Sequence, residues 1–403
     1  LPARFSLAIG YVCLTAPAAK PISRHRTSQG ARMTDRVYIR PIGLVPGPQS
    51  EHGNAIRLAG GMIYASRFAV ILRRDGKIIE RWLASPDTMA ETLGQLPETV
   101  GADALSQWSD LTLAHAPLTI GTRTVRLDQP QIMGILNVTP DSFSDGDRFL
   151  TDAEAGREHA AAMVEAGAAI IDIGGESTRP GASTLWEGDE IERVLPAVRA
   201  CAAMGAAVSI DTRKAAVMEA ALAAGAGMVN DVSGLAHDRR SREVVAHAAC
   251  PVVLMHAPGA GGDDLHGASG YDNVVFDVFD ALRERRDVAL AAGIARSRII
   301  LDPGIGFGKS LSDNLALINA LPLFHALGQP LLLGASRKRT IGALSNEAPV
   351  EQRLGGSVAL ALEGMRAGVQ LLRVHDVFET VQARNVWRGL RDAALTDFSD
   401  LPA

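Results

Sequence analysis

The chain has 403 residues, too many for one average domain and about right for two. Hydrophobic residues make up 47% and charged residues 21%, the proportions of an ordinary globular protein, and no run after the first segment reaches the ~20 apolar residues a membrane helix needs. The formal net charge of −5 leans against broad nucleic-acid binding, which needs a basic face, while leaving room for a local anion site. Cys13, Cys201 and Cys250 lack paired spacing, so they give neither a disulfide framework nor a zinc pattern. Cys201 and Cys250 sit in apolar helical stretches and read as small core residues, which suits a reducing cytosol.

Residues 1–33 read as unstructured. They carry Arg4 and the apolar run FSLAIGYVCLTAPAA, which imitates a secretory leader. The favoured reading is upstream sequence ahead of a start at Met33, because Met33 directly precedes the first strand-like segment. Residues 34–128 read as a small α+β unit. VYIRPIGLV is a strand ended by Pro and Gly; AIRLAGGMIYASRFAVILRR and KIIERWLAS give further strands around an Arg-Asp-Gly turn at 74–76. DTMAETLGQL reads as a short helix, and no catalytic constellation is visible in this unit.

From Gln131 short apolar runs alternate with helical stretches. The strands are IMGIL (132–136), AIIDI (169–173), AVSI (207–210), GMVN (227–230), VVLMH (252–256), IILD (299–302), LLLG (331–334) and QLLRV (370–374). Each is apolar nearly throughout, as a parallel strand buried on both faces should be. Helices are expected at 152–166, 191–204, 214–224, 273–292, 313–321 and 351–367, several stopped by glycine (Gly167, Gly205, Gly225, Gly293, Gly368). Eight strand–helix units predict a (β/α)₈ TIM barrel over 129–397. A doubly wound open sheet is the alternative, but eight units in this length favour closure.

In such a barrel the site lies at the C-terminal ends of the strands. In chain order those ends carry Asn137; Asp172, then GGESTRPG; Asp211; Asn230 and Asp231; His256; Asp302, then PGIGFGKS; Ser336-Arg337-Lys338; and Arg373, His375 and Asp376. A lone Asp or Asn after a strand is more often a helix cap than a catalyst. Eight polar ends exceed what capping explains, and Arg373 and Lys338 cannot serve as N-caps. Asp211, Asn230 and Asp302 suit a flat heterocycle with several N–H donors. Arg179, Lys338, Arg373 and His375 supply positive charge for phosphate or carboxylate. GIGFGKS imitates a phosphate-binding loop, but Pro303 stands where its first glycine belongs. His247 and His256 lack ligand companions at short spacing and read as structural.

MGILNVTPDSFSDG, DIGGESTRPG, SIDT, NDVSG, LMH, LDPGIGFGK, SRK and RVHDV, in this order and spacing, resemble the dihydropteroate synthase family across residues 131–395. The motifs are long and fall at seven or eight strand ends, so the resemblance is specific. It implies condensation of 6-hydroxymethyl-7,8-dihydropterin diphosphate with p-aminobenzoate in folate biosynthesis, by a cytoplasmic, sulfonamide-targeted homodimer using Mg²⁺. By the same resemblance, Asp302 pairs with the guanidine-like edge of the pterin, Asp211 and Asn230 hold other ring nitrogens, and Lys338 holds the far side of the ring. Phe307 and Met255 supply apolar faces. Asn137 matches the Mg²⁺-associated position, and Thr178, Arg179, Arg373 and His375 lie near the diphosphate and p-aminobenzoate. Loops 138–147 and 176–183 are expected to close over the ligands.

The chain departs from the family pattern at SDGDRF, at Ala257-Pro258-Gly259 after LMH, and at Arg339 after SRK. These bear on p-aminobenzoate and sulfonamide affinity more than on the reaction. A pterin-dependent methyltransferase domain would share barrel and pterin site, but SFSDG, ESTRPG and SRK belong to the synthase pattern. A non-catalytic pterin-binding paralogue need not keep the diphosphate side that Asn137, Arg179, Lys338, Arg373 and His375 form.

Overall fold

The computed structural model describes residues 34–48, 53–139, 153–178, 184–259, 265–267 and 270–395. From Asp35 onward the chain forms one compact unit. It opens with β1 (Asp35–Val45), β2 (Ile56–Arg57), β3 (Tyr64–Arg74) and β4 (Lys77–Ala84), then α1 (Met89–Gly94) and α2 (Glu98–Thr112). β3 is central and antiparallel to the other three strands. It turns into β4 through Asp75-Gly76, both at positive φ, the two-residue hairpin turn whose twist suits the flanking strands.

Pro41 and Gly43 lie inside β1 and shift its register, which β1 tolerates as an edge strand. That edge is covered by α2. The Gln107 carboxamide accepts from Ile39 N at 3.0 Å and donates to Val37 O at 2.8 Å, standing in for a missing strand. The same sheet packs on the barrel. Tyr38 lies 4.3 Å from Phe276 and 5.5 Å from Phe279, and its hydroxyl donates to Asp280 at 2.7 Å. Arg73 pairs with Asp277, and Arg283 with Asp103, around this contact.

A hairpin, β5 (Leu118–Ile120) and β6 (Arg123–Val125), precedes the barrel. The barrel follows as β7 (Gln131–Asn137), α3 (Ala153–Glu165), β8 (Ile170–Gly174), α4 (Glu187–Ala203), β9 (Val208–Asp211), α5 (Ala215–Ala223), β10 (Met228–Asp231), α6 (Ser241–Ala248), β11 (Val252–Met255), α7 (Val274–Ala291), β12 (Ile299–Asp302), α8 (Leu311–Asn319), β13 (Leu332–Leu333), α9 (Arg339–Leu344), α10 (Leu354–Arg366), β14 (Leu371–Val374) and α11 (Val377–Leu395). The eight strands run parallel in the order β12-β11-β10-β9-β8-β7-β14-β13, and a parallel bridge from Leu301 to Leu331 closes the ring. The barrel expected from the sequence is therefore present, and closed.

One residue in or beside each barrel strand points into a common interior layer: Met133, Ile170, Ala207, Met228, Val253, Ile300, Leu332 and Leu371. Leu118, Ile120, Val125 and Leu127 of the hairpin segment complete that layer from below, so the hairpin plugs the barrel floor. A larger cluster joins the strands to the surrounding helices.

The glycines expected to stop helices at 167, 205, 225, 293 and 368 all take positive φ. Other boundaries move for local reasons. α8 begins at Leu311 because Ser310 and Asp313 form a capping box, and the chain then passes into a 3₁₀ turn at Leu321–Leu327. α10 begins only at Leu354, since Pro349 leads a 3₁₀ turn at Val350–Gln352. Cys201 is buried within α4 as expected, but Cys250, also buried, lies in the link between α6 and β11 rather than in a helix.

Candidate active site

The strands deliver four polar side chains to one network at the barrel mouth. Arg373 at the end of β14 donates through Nε to Asp172 Oδ2 at 2.6 Å and through Nη2 to Asp211 Oδ2 at 2.5 Å. Asn230 donates to the same Asp172 oxygen at 3.0 Å. Asp172, 0% exposed, is thus the hub that holds Arg373 and Asn230 together, and its Oδ1 has no hydrogen-bond partner among the described residues.

Burial shapes the charges here. It pushes the Asp211 carboxyl up to about 7, with the Arg373 charge pulling the other way and Asp172 adding repulsion. Burial also raises Asp302 above the usual carboxylate range, against the attraction of Lys338. The Lys338 ammonium is brought down to about 8, again by burial, against the same Asp302. Burial works against the Arg373 charge too, but Asp172 and Asp211 together hold its pKa above the ordinary value. A ligand that brings N–H donors to the two carboxylates would stabilise their charged forms.

Asp302, Lys338 and Phe307 form the neighbouring wall. Asp302 Oδ1 accepts from Gly304 N at 2.7 Å, which fixes the turn after β12. Gly304 has φ +69, and a Cβ there would fall 1.9 Å from the His256 carbonyl oxygen, so only glycine lets the two strand ends come this close. Lys338 Nζ donates to Ile305 O and stands 4.6 Å from the centre of the Phe307 ring. Lys338 occupies the N-cap position of α9, but its side chain makes no cap bond; it reaches into the mouth instead. A glycine at the end of β13 joins the two groups, since a Cβ on Gly334 would lie 3.8 Å from Asp302 Oδ2 and 3.9 Å from Arg373 Cβ.

The remaining candidates surround this pair of clusters. Met255 is buried with Val232, Ala257 and Leu265, with Phe307 packed against them. His375 lies next to Arg373, with its backbone N and Nδ1 at 3.2 and 3.1 Å from Ser336 Oγ. Asn137 ends β7 opposite Gly174. Thr178 contributes its carbonyl, which meets His266 Nε2 at 2.7 Å. Arg179 lies outside the described residues, as does most of loops 138–147 and 176–183.

Four contributors receive no role from the sequence. Asp172 is one; its signal was a single charged residue inside an otherwise apolar strand. Glu176 is a second. Its carboxylate pairs with Arg213 at 3.1 Å and Lys214 at 3.0 Å and accepts from Leu185 N at 3.0 Å, so it joins the two described ends of the segment around Thr178 and Arg179. Burial works against that charge, yet Arg213, the Leu185 N–H and Lys214 hold its pKa below the usual range. Lys309, from the imitation phosphate loop, is a third. It donates to the carbonyls of Gly304, Phe307 and His256 at 2.8, 3.0 and 3.2 Å, pinning the loop that carries Phe307. His266 is the fourth. The His256 imidazole itself is kept neutral, brought down to about 3 by burial and the Lys309 charge.

The pattern of the family described as "Pterin binding enzyme" matches residues 133–375. The chain is 45% identical over 275 residues to a dihydropteroate synthase of Neisseria meningitidis serogroup B, covering 67% of this chain and 96% of that protein. The chain belongs to the dihydropteroate synthase family. A dihydropteroate synthase of Escherichia coli is 44% identical over 261 residues, covering 64% of this chain and 91% of the relative. Among solved structures, the Xanthomonas albilineans dihydropteroate synthase with 4-aminobenzoic acid superposes with a TM-score of 0.64 at 45% identity, covering 72% of this chain and 100% of that one. The family match begins at Met133, downstream of the N-terminal sheet and the floor hairpin.

Proposed function

We propose that this chain is a transferase that joins p-aminobenzoate to 6-hydroxymethyl-7,8-dihydropterin diphosphate and releases 7,8-dihydropteroate and diphosphate. The observation that carries the reading is the convergence of Asp211, Asn230, Asp302, Lys338 and Arg373 at one barrel mouth, in a chain of this family. A pterin presents several ring N–H donors and acceptors on one plane. Asp302 takes the guanidine-like edge, Asp211 and Asn230 take other ring nitrogens, and Lys338 takes the far side. Phe307 and Met255 give the ring apolar faces. Raised carboxyl pKa values suit this task, because the bound ring supplies the donors that a buried carboxylate otherwise lacks.

In the reaction the amine nitrogen bonds to the pterin methylene carbon, the carbon–oxygen bond breaks with its electron pair leaving on diphosphate, and the amine gives up a proton. Negative charge gathers on the leaving group, where Arg179, Arg373 and His375 stabilise it, with Thr178 beside p-aminobenzoate. No covalent nucleophile is needed.

Asn137 offers one neutral oxygen, and among the described residues no cluster of three or more His, Cys, Asp or Glu could hold a metal. Asn137 would hold an Mg²⁺ through that oxygen, a hard donor of the kind this ion takes. When bound, the ion supplies further positive charge to the leaving group. Residues 34–128 accompany the barrel at 129–397 in what we read as a cytoplasmic homodimer. The two described cysteines are free and buried, and no described helix is long and apolar enough to cross a membrane. Incubation with both substrates and Mg²⁺ tests the function: folded protein should release diphosphate, and folded protein that releases none overturns the reading.

A further inference from the structure

His266 belongs to none of the motifs that relate this chain to its family, yet it touches two parts of the candidate site. It lies in the described turn 265–267 beyond β11. Leu265 anchors that turn by its burial with Met255, Val232 and Ala257. Gly267 anchors it from the other side, since its carbonyl would lie 2.8 Å from a Cβ on Gly308. Between these two anchors the His266 ring stacks on Phe307, with centroids 5.1 Å apart and planes 13° apart. Its Nε2 sits 2.7 Å from the carbonyl oxygen of Thr178, 88 residues away in sequence. A carbonyl only accepts, so Nε2 carries the proton and donates.

We infer that His266 is a positioning residue that ties the segment after β8 to the Phe307 wall and thereby sets the p-aminobenzoate subsite. The inference rests on the proposed reaction for its choice of substrate. Without His266, Phe307 keeps the Lys338 contact and the Lys309 bond to its carbonyl, so the pterin wall persists. Thr178 loses the tie from its carbonyl to the opposite wall. The effect therefore falls on the arylamine side.

His266→Ala should raise the KM for p-aminobenzoate by about tenfold, equivalent to roughly 1.4 kcal/mol. Pterin affinity by calorimetry should stay within about twofold of wild type. His266→Phe keeps the ring and loses the donor; His266→Asn keeps a donor and loses the ring. Each should recover part of the alanine defect. Independently of turnover, hydrogen exchange on the free protein should speed up at residues 176–178 in His266→Ala. Unchanged exchange there overturns the tie, whether or not the enzyme turns over. Unchanged KM for p-aminobenzoate in both His266→Ala and His266→Phe, with an active wild type, overturns the subsite assignment. An inactive wild type with faster exchange in the variant would instead retain the tie and refute the proposed reaction.

Discussion

Asp211→Asn should gain stability relative to wild type as pH rises, while removing pterin binding. The Asp211 carboxyl is held at about 7, against 3.8 in its ordinary state, chiefly by burial. A carboxyl whose pKa rises on folding favours the folded state while it is protonated. That advantage is complete below 3.8 and is lost as pH rises through about 7. Once lost, the ionised group costs roughly 2–4 kcal/mol relative to the unfolded chain at 1.36 kcal/mol per pKa unit, the lower end allowing for the 14% of the side chain that solvent still reaches. The Arg373 attraction is already contained in the position of that pKa. Asparagine cannot ionise, and Arg373 keeps its 2.6 Å bond to Asp172. Urea unfolding of both proteins from about pH 4 to pH 8 should therefore show the variant gaining on wild type by that amount across the range. A difference that stays flat with pH, or that moves against the variant as pH rises, would refute the electrostatic account of the mouth.

Asp302→Ala should abolish pterin binding by calorimetry, whereas Arg179→Ala should bind pterin and lose turnover; normal pterin binding in the first variant would show the ring orientation to be wrong. Gln107→Leu removes both bonds to the β1 edge and should cost roughly 3 kcal/mol in urea unfolding, since each buried backbone group left unpaired costs about 1–3 kcal/mol. A loss under about 1 kcal/mol would mean the edge finds other partners. Gly304→Ala forces a Cβ onto the His256 carbonyl and should weaken pterin binding by displacing Asp302; a crystal structure with the turn unmoved would contradict this.

The barrel was legible because its strands are buried on both faces. Apolar runs such as IILD and VVLM can then be told from the polar residues that end them, and each break marks the mouth. Asp211, Asn230, Asp302 and Arg373 were accessible in this way. Asp172 was visible as a residue but not as a hub, because its partners arrive from β10 and β14, 58 and 201 residues away. Lys309 and His266 act through backbone carbonyls, which leave no trace in side-chain patterns. Lys309 was further disguised by a glycine-rich context suggesting phosphate. The floor hairpin at 118–125 was hidden for another reason: two strands of three residues carry too little periodicity to separate from a loop, and only the barrel interior gives Leu118, Ile120 and Val125 a place to go.

The most direct test of the synthase reading measures diphosphate and dihydropteroate together, with Mg²⁺ and pterin diphosphate, in the presence and absence of p-aminobenzoate. The account predicts that both products appear in equal amounts and only when p-aminobenzoate is present. Folded protein that forms no dihydropteroate, or that releases diphosphate at the same rate without p-aminobenzoate, would contradict it.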